Sequence, residues 1–160
     1  MSDYHNRRAK EILSTVLYAT VATASKDGKP WNSPLAGFWD KDCNLYWFSA
    51  KDSVHSGNIR ENKDIFIVVY DSTMKEGTGE GVYIEATAHE VTDSDEVQQV
   101  VELQTGSMRC SFEQVSGDAI HRFYKATPVN IWMNDDEKDE NGHYVRDVRV
   151  EVPITVLQQG

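Results

Sequence analysis

The chain has 160 residues, 39% of them hydrophobic and 10% aromatic, enough for one well-filled core and too few to require two domains. Its formal net charge of −10 sets an average field that repels nucleic acid and anionic lipid, which clustered Lys and Arg would attract. No apolar run approaches the ~20 residues of a membrane-crossing helix, and the start, MSDYHNRRAKEIL, carries no apolar signal block. A cytoplasmic protein with neither a nucleic-acid nor a membrane partner is expected.

From Asp3 onward, Ala9, Ile12, Leu13 and Val16 recur at spacings of three and four, which predicts a short helix with one apolar face. Leu17 to Ser25 is rich in Val, Thr and Ala. With the Lys26-Asp27-Gly28-Lys29 break and the run from Pro30 to Trp39, it predicts strand, tight turn, strand. After the polar stretch from Asp40 to Asn44, three consecutive aromatics in Leu45-Tyr46-Trp47-Phe48-Ser49 favour a third strand. Ser53 stands where an N-cap belongs, ahead of a short helix from Val54 to Asn62.

Ile65 to Tyr70 and Val82 to Val91 predict the central strands, joined by the Gly-rich segment Lys75 to Gly81. Asp93 to Glu96 complements the dipole of a helix whose apolar face is Val97, Val100 and Val101, and a further helical turn is expected near Gly117 to His121. The C-terminal part predicts a strand from Phe123 to Met133, an exposed acidic loop from Asn134 to His143, and a strand from Val145 to Val152. No repeat or linker interrupts this order, and a β-dominated chain with peripheral helices suits a closed or partly closed barrel.

The familiar chemical motifs are missing. There is no GxSxG, no HExxH, and Gly77-Thr78-Gly79-Glu80-Gly81 leads into a strand rather than opening a helix, so it is a connection that needs positive φ and not a dinucleotide fingerprint. The five histidines are scattered without a metal-ligand spacing, and Cys43 and Cys110 fit partly buried free thiols. His55 stands apart. Ser53-Val54-His55-Ser56 lies at a helix start, where unpaired amides and the positive end of the dipole favour an anion, and two hydroxyls and an imidazole add donors.

The run Tyr18-Ala19-Thr20-Val21-Ala22-Thr23, with Asp27-Gly28-Lys29-Pro30, Asn32-Ser33-Pro34, Asn44-Leu45-Tyr46-Trp47, Ser53-Val54-His55-Ser56 and Asn58-Ile59-Arg60-Glu61-Asn62, resembles the flavin-binding split-barrel family that includes pyridoxamine 5′-phosphate oxidase. The later segments Val68 to Ser72, Gly77 to Ile84 and Pro128-Val129-Asn130-Ile131-Trp132 extend the likeness over about residues 10 to 152. The resemblance implies a split β-barrel of the FMN-binding type. It also implies a homodimer that holds flavin mononucleotide (FMN) at its interface and passes electrons to or from a small molecule.

Carried over residue by residue, Asn32, Ser33, Pro34 and Leu35 with Phe48 and Ser49 would line the ring and ribityl chain. Ser53, His55 and Ser56 would meet the phosphate, and Trp132 and Arg149 would reach in from the partner chain. The oxidases place Arg or Lys where this chain has Ser33, Val54 and His55. A second reading is therefore a non-catalytic flavin- or heme-binding sensor or carrier on the same fold, and a third replaces flavin with a deazaflavin. A colourless protein with no cofactor is the remaining alternative, and no catalytic acid, base or nucleophile is assigned.

Overall fold

The computed structural model describes residues 2–106 and 109–158. Helix α1 (Ser2–Thr15) turns the predicted stripe inward, burying Ala9 and Ile12 with Leu13 and Val16 packed beside them. Strands β1 (Tyr18–Ala24) and β2 (Pro30–Ala36) form the expected hairpin, and Gly28 supplies the left-handed φ of 79° that its turn requires. The strand expected to run unbroken from Pro30 to Trp39 is divided at Gly37, giving a separate β3 (Phe38–Trp39). A Cβ at Gly37 would lie 2.6 Å from the Tyr46 carbonyl oxygen, so the chain can cross over β4 (Leu45–Ala50) only where the side chain is absent. Between β3 and β4 the Asp40 carboxylate accepts from the amides of Asp42 and Asn44 and from Tyr46 Oη, which fixes the loop.

Helix α2 (Val54–Glu61) leads into β5 (Asp64–Tyr70) and β6 (Gly81–Glu90), and Asp93 caps α3 (Ser94–Leu103) by accepting from the amides of Asp95 and Glu96. No helical turn forms at 117–121. Gly117 takes a left-handed φ of 55°, and Arg122 draws the carbonyls of Gly117 and Ala119 onto its guanidinium. The short helical turn lies earlier, at Phe112–Gln114. Strand β7 (His121–Lys138) then runs well past the predicted Met133, pairs with β8 (Tyr144–Glu151), and is followed by a brief α4 (Ile154–Leu157). Half of the expected acidic loop is thus strand. Glu137 sits opposite Arg146, whose Nε donates to it at 2.5 Å, and the turn narrows to the residues around Asp139, which accepts from the amides of Asn141 and His143.

The hydrogen-bonded order is β2-β1-β5-β6-β7-β4-β3, with β8 on the same edge of β7 as β4, beyond β4's reach. The first and last strands of this path, β2 and β3, are neighbours in sequence with only Gly37 between them. The sheet must therefore curl until its two ends meet. It remains open between them, which makes the fold a split β-barrel.

Alternate residues of β1, β4, β5, β6 and β7 fill the inside, among them Val21, Leu45, Trp47, Ile67, Val69, Ile84 and Ile131. A second cluster of Tyr46, Val97, Val100 and Phe123 lies under α3. The outer face of β1, β5, β6 and β7 leaves Tyr18, Phe66, Tyr70 and Val129 exposed. Among the described residues no helix is long and apolar enough to cross a membrane.

Candidate functional site

Helix α2 begins where β4 leaves the barrel, and its cap positions the most polar part of the interior. Ser53 is extended, with ψ of 156°, and its oxygen accepts the Ser56 amide at 3.4 Å. One residue into the helix, the His55 ring points back across β4 and β2. Its Nε2 lies 2.9 Å from Ser49 Oγ and 3.1 Å from Ser53 Oγ, and its Nδ1 lies 3.4 Å from Ser33 Oγ. The indole of Trp31 donates to Ser33 Oγ at 3.1 Å, and Ser53 Oγ donates to Ser56 Oγ at 2.8 Å. Every group bonded to this imidazole is a hydroxyl. Burial without a nearby carboxylate holds the His55 pKa below its ordinary value, so the ring is neutral at neutral pH.

Beside the cluster, in the split between β2 and β4, is a cavity of about 300 Å³ lined by Pro34, Leu35, Gly37, Phe38, Trp47 and Phe48. Side chains two apart on a strand share a face about 7 Å apart, so Ser33 continues into Leu35 and Ser49 into Trp47. The polar cluster and the apolar cavity thus lie next to each other along β2 and β4, and the two together are called the cleft. Trp47 stacks on Tyr124 at 5.7 Å, and its buried indole N–H has no hydrogen-bond partner among the described residues. Phe48 faces the second cluster, edge-on to Phe123 and His121. Two wider surface grooves, of about 540 and 590 Å³, open beside Tyr70 and beside Trp39, and of the expected residues they contain only Pro34.

The fold therefore gathers Ser33, Ser49, Ser53, His55 and Ser56 into one network and sets Pro34, Leu35 and Phe48 along the adjoining cavity. Asn32 pairs with Ala22 and projects to the opposite face of β2 from Ser33. Ser56 is fully buried, with its hydroxyl directed into the barrel wall. Trp132 and Arg149 stand on the outer face, where the Arg149 guanidinium covers the Tyr83 ring at 4.0 Å, apart from the His55 cluster of the same chain.

Trp31 belongs to the site although sequence reasoning passed over it. Its signal was the period of two that places it on the face of Ser33. Tyr124, whose ring stacks on Trp47, gave no such signal, because its place depends on the pairing of β4 with β7.

Chemically, the cleft offers hydroxyl and imidazole donors at one end and an apolar slot at the other. That donor set suits the acceptor oxygens of a phosphate monoester, and the slot suits part of a planar ring. The cleft thus fits a flavin nucleotide by chemistry, with hydrogen-bond donors in place of permanent cations.

An open barrel whose split holds such a cleft defines the class of split-barrel proteins. The chain belongs to the pyridoxamine 5′-phosphate oxidase family, whose family model matches residues 6–135. No curated protein matches it significantly. Among solved structures, it is similar to the heme storage protein HutZ from Vibrio cholerae, with 16% identity and a TM-score of 0.62 over 76% of this chain and 88% of that one. It is similar to General Stress Protein 26 from Bacillus anthracis, with 15% identity and a TM-score of 0.58 over 88% and 97% of the two chains. An F420 reductase gives 15% identity and a TM-score of 0.56 over 76% and 94%. At such identities the likeness is one of fold.

Proposed function

We propose that this chain is a homodimeric, FMN-binding oxidoreductase acting on a small-molecule electron donor or acceptor. The observation that carries the reading is the convergence of Ser33, Ser49 and His55 at one end of the cavity lined by Leu35, Trp47 and Phe48. In this reading the flavin phosphate takes hydrogen bonds from the Ser49 hydroxyl, which the His55 imidazole holds in place, and from the first-turn amides of α2, whose dipole also favours an anion. Leu35 and Phe48 exclude water from the ring and hold its plane. When bound, a flavin supplies two-electron chemistry, and the protein contributes position and electrostatics. Homodimerisation is supported by the exposed outer face, where Tyr18, Phe66, Tyr70 and Val129 would be covered by a second copy, bringing its Trp132 and Arg149 to the cleft.

One observation favours a second reading, a non-catalytic carrier or sensor for flavin or heme. All hydrogen-bonding partners of His55 are uncharged, so the anion end lacks the guanidinium that would bind a dianion most tightly. The fold shared with a heme storage protein is compatible with that reading, and the fold shared with an F420 reductase is compatible with a deazaflavin in the same cleft.

A visible absorption spectrum, recorded after FMN is added and the excess removed by gel filtration, tests the proposal. Retained flavin near one per chain, bleached by a reduced nicotinamide and restored by air, is the expected result. Flavin that is retained but does not cycle with any donor favours the carrier, and a colourless protein refutes the flavin reading.

A further inference from the structure

Trp31 is tied to the polar end of the cleft and yet lies open to solvent. Its indole N–H donates to Ser33 Oγ at 3.1 Å, the same hydroxyl that faces His55 Nδ1, while 46% of the residue remains exposed. A tryptophan serving only as packing hides most of its large apolar surface; this one is anchored through its nitrogen and leaves its body uncovered. Trp31, Ser33 and Leu35 alternate along β2 and share one face, so an indole, a hydroxyl and an apolar side chain on the cavity follow one another in steps of about 7 Å.

Helix α2 borders this stripe. Asn58 donates to Thr23 Oγ1 at 3.0 Å, and Thr23 is the β1 partner of Trp31, so the side of α2 that carries Asn58 faces the stripe. Val54 stands one helical turn earlier on that side and is half exposed. Two uncovered apolar groups, Trp31 and Val54, thus lie next to the hydroxyl cluster, on its far side from the cavity.

The charge of the cluster points the same way. Its donors are hydroxyls around a neutral imidazole. A phosphate monoester concentrates about two negative charges on one phosphorus near neutral pH, whereas a phosphate esterified on both sides carries only one, which uncharged donors meet with less loss. The second ester has to lead somewhere. Along β2 the next surface is the Trp31 indole, one strand repeat beyond Ser33, which is the order of the reach from a nucleotide's phosphate to its base. An aromatic side chain with a free face is what a base stacks on.

We propose that the polar end of the cleft takes a dinucleotide, with the adenine of its second half stacked on Trp31 beside Val54. Under the flavin reading above, on which the identity of the ring in the cavity rests, the ligand is flavin adenine dinucleotide (FAD), and its flavin half sits as described there. The adenine contact stands on Trp31 alone.

Isothermal titration calorimetry with FAD, FMN and riboflavin, on the parent, Trp31→Phe and Trp31→Ala, tests the proposal. The parent is expected to bind FAD roughly five- to a hundredfold more tightly than FMN, the worth of one base on an aromatic ring. Trp31→Phe keeps a stacking surface and most of that preference, and Trp31→Ala binds FAD no better than FMN. The ratio is the readout, because a folding defect weakens every flavin together. Equal binding of FAD and FMN by the parent, or a preference that survives Trp31→Ala, overturns the proposal. ADP, which carries adenine and diphosphate without a flavin, separates the two readings: if no flavin is retained but ADP binds the parent and not Trp31→Ala, the flavin reading alone fails.

Discussion

The division of the second strand at Gly37 rests on a contact that a single methyl group would violate. In Gly37→Ala the new Cβ would sit 2.6 Å from the Tyr46 carbonyl oxygen and 2.7 Å from Leu45 Cδ1, which is about 0.8 Å inside ordinary van der Waals separation. Leu45 Cδ1 ends a side chain and can turn away. The carbonyl cannot, because Tyr46 is held in register with Phe38 on one side and Lys125 on the other.

Such overpacking costs about 1–3 kcal/mol. For a chain of this length each kcal/mol lowers the melting temperature by about 2–4 °C, so a mid-range loss is on the order of 4–8 °C. Gly79→Ala is the control: its added Cβ meets nothing within 4 Å, and its effect should stay within ~0.5 kcal/mol. Differential scanning calorimetry of both variants decides the matter. If Gly37→Ala melts with Gly79→Ala and the parent, close approach is not what divides the strand.

Two further outcomes follow from His55. Removing the imidazole in His55→Ala frees the Ser49 and Ser33 hydroxyls that it holds at the phosphate end. FMN should therefore bind roughly ten- to hundredfold more weakly, with a smaller change for riboflavin, as measured by flavin fluorescence titration. Equal weakening of the two ligands refutes the phosphate role. Stability should also depend on pH in a defined sense. Burial depresses the His55 pKa in the folded state, so between that value and the ordinary ~6.5 the unfolded chain binds more protons. The contribution is fully present above ~6.5 and is lost as pH falls through the folded-state value. Urea midpoints at about pH 7.5 and 5.5 should differ more for the parent than for His55→Gln, and an identical difference removes His55 from the account.

The fold was legible wherever a pattern is local. Period-two burial in β5 and β6, the Asp-Gly turn, the Asp93 cap and the apolar stripe of α1 are each written in fewer than fifteen consecutive residues. Errors came where a partner strand decides. Acidic residues 134–138 look like a loop until β8 supplies Arg146 opposite Glu137, and the break at Gly37 is visible only once Tyr46 is behind it.

The site divides along the same line. Ser53, His55 and Ser56 could be picked out from a helix start, and Ser33 and Ser49 from the family resemblance. The stacking of Tyr124 on Trp47 behind the cavity joins residues far apart in sequence on paired strands, and no spacing rule reports it.

Strand β4 provides one wall of the cleft, yet its hydrogen-bonding partners are β3 beside it and β7, whose matching residues, such as Ala126 opposite Leu45, come about 80 positions later. During synthesis the β1–β2 hairpin can form early, while β4 waits on the ribosome with its Leu45 and Trp47 side chains uncovered. The cleft therefore closes only after β7 has emerged. Under the flavin proposal, capture of FMN by nascent chains becomes a marker for nearly complete synthesis, and any chain released before residue 121 exposes an aromatic strand to its neighbours.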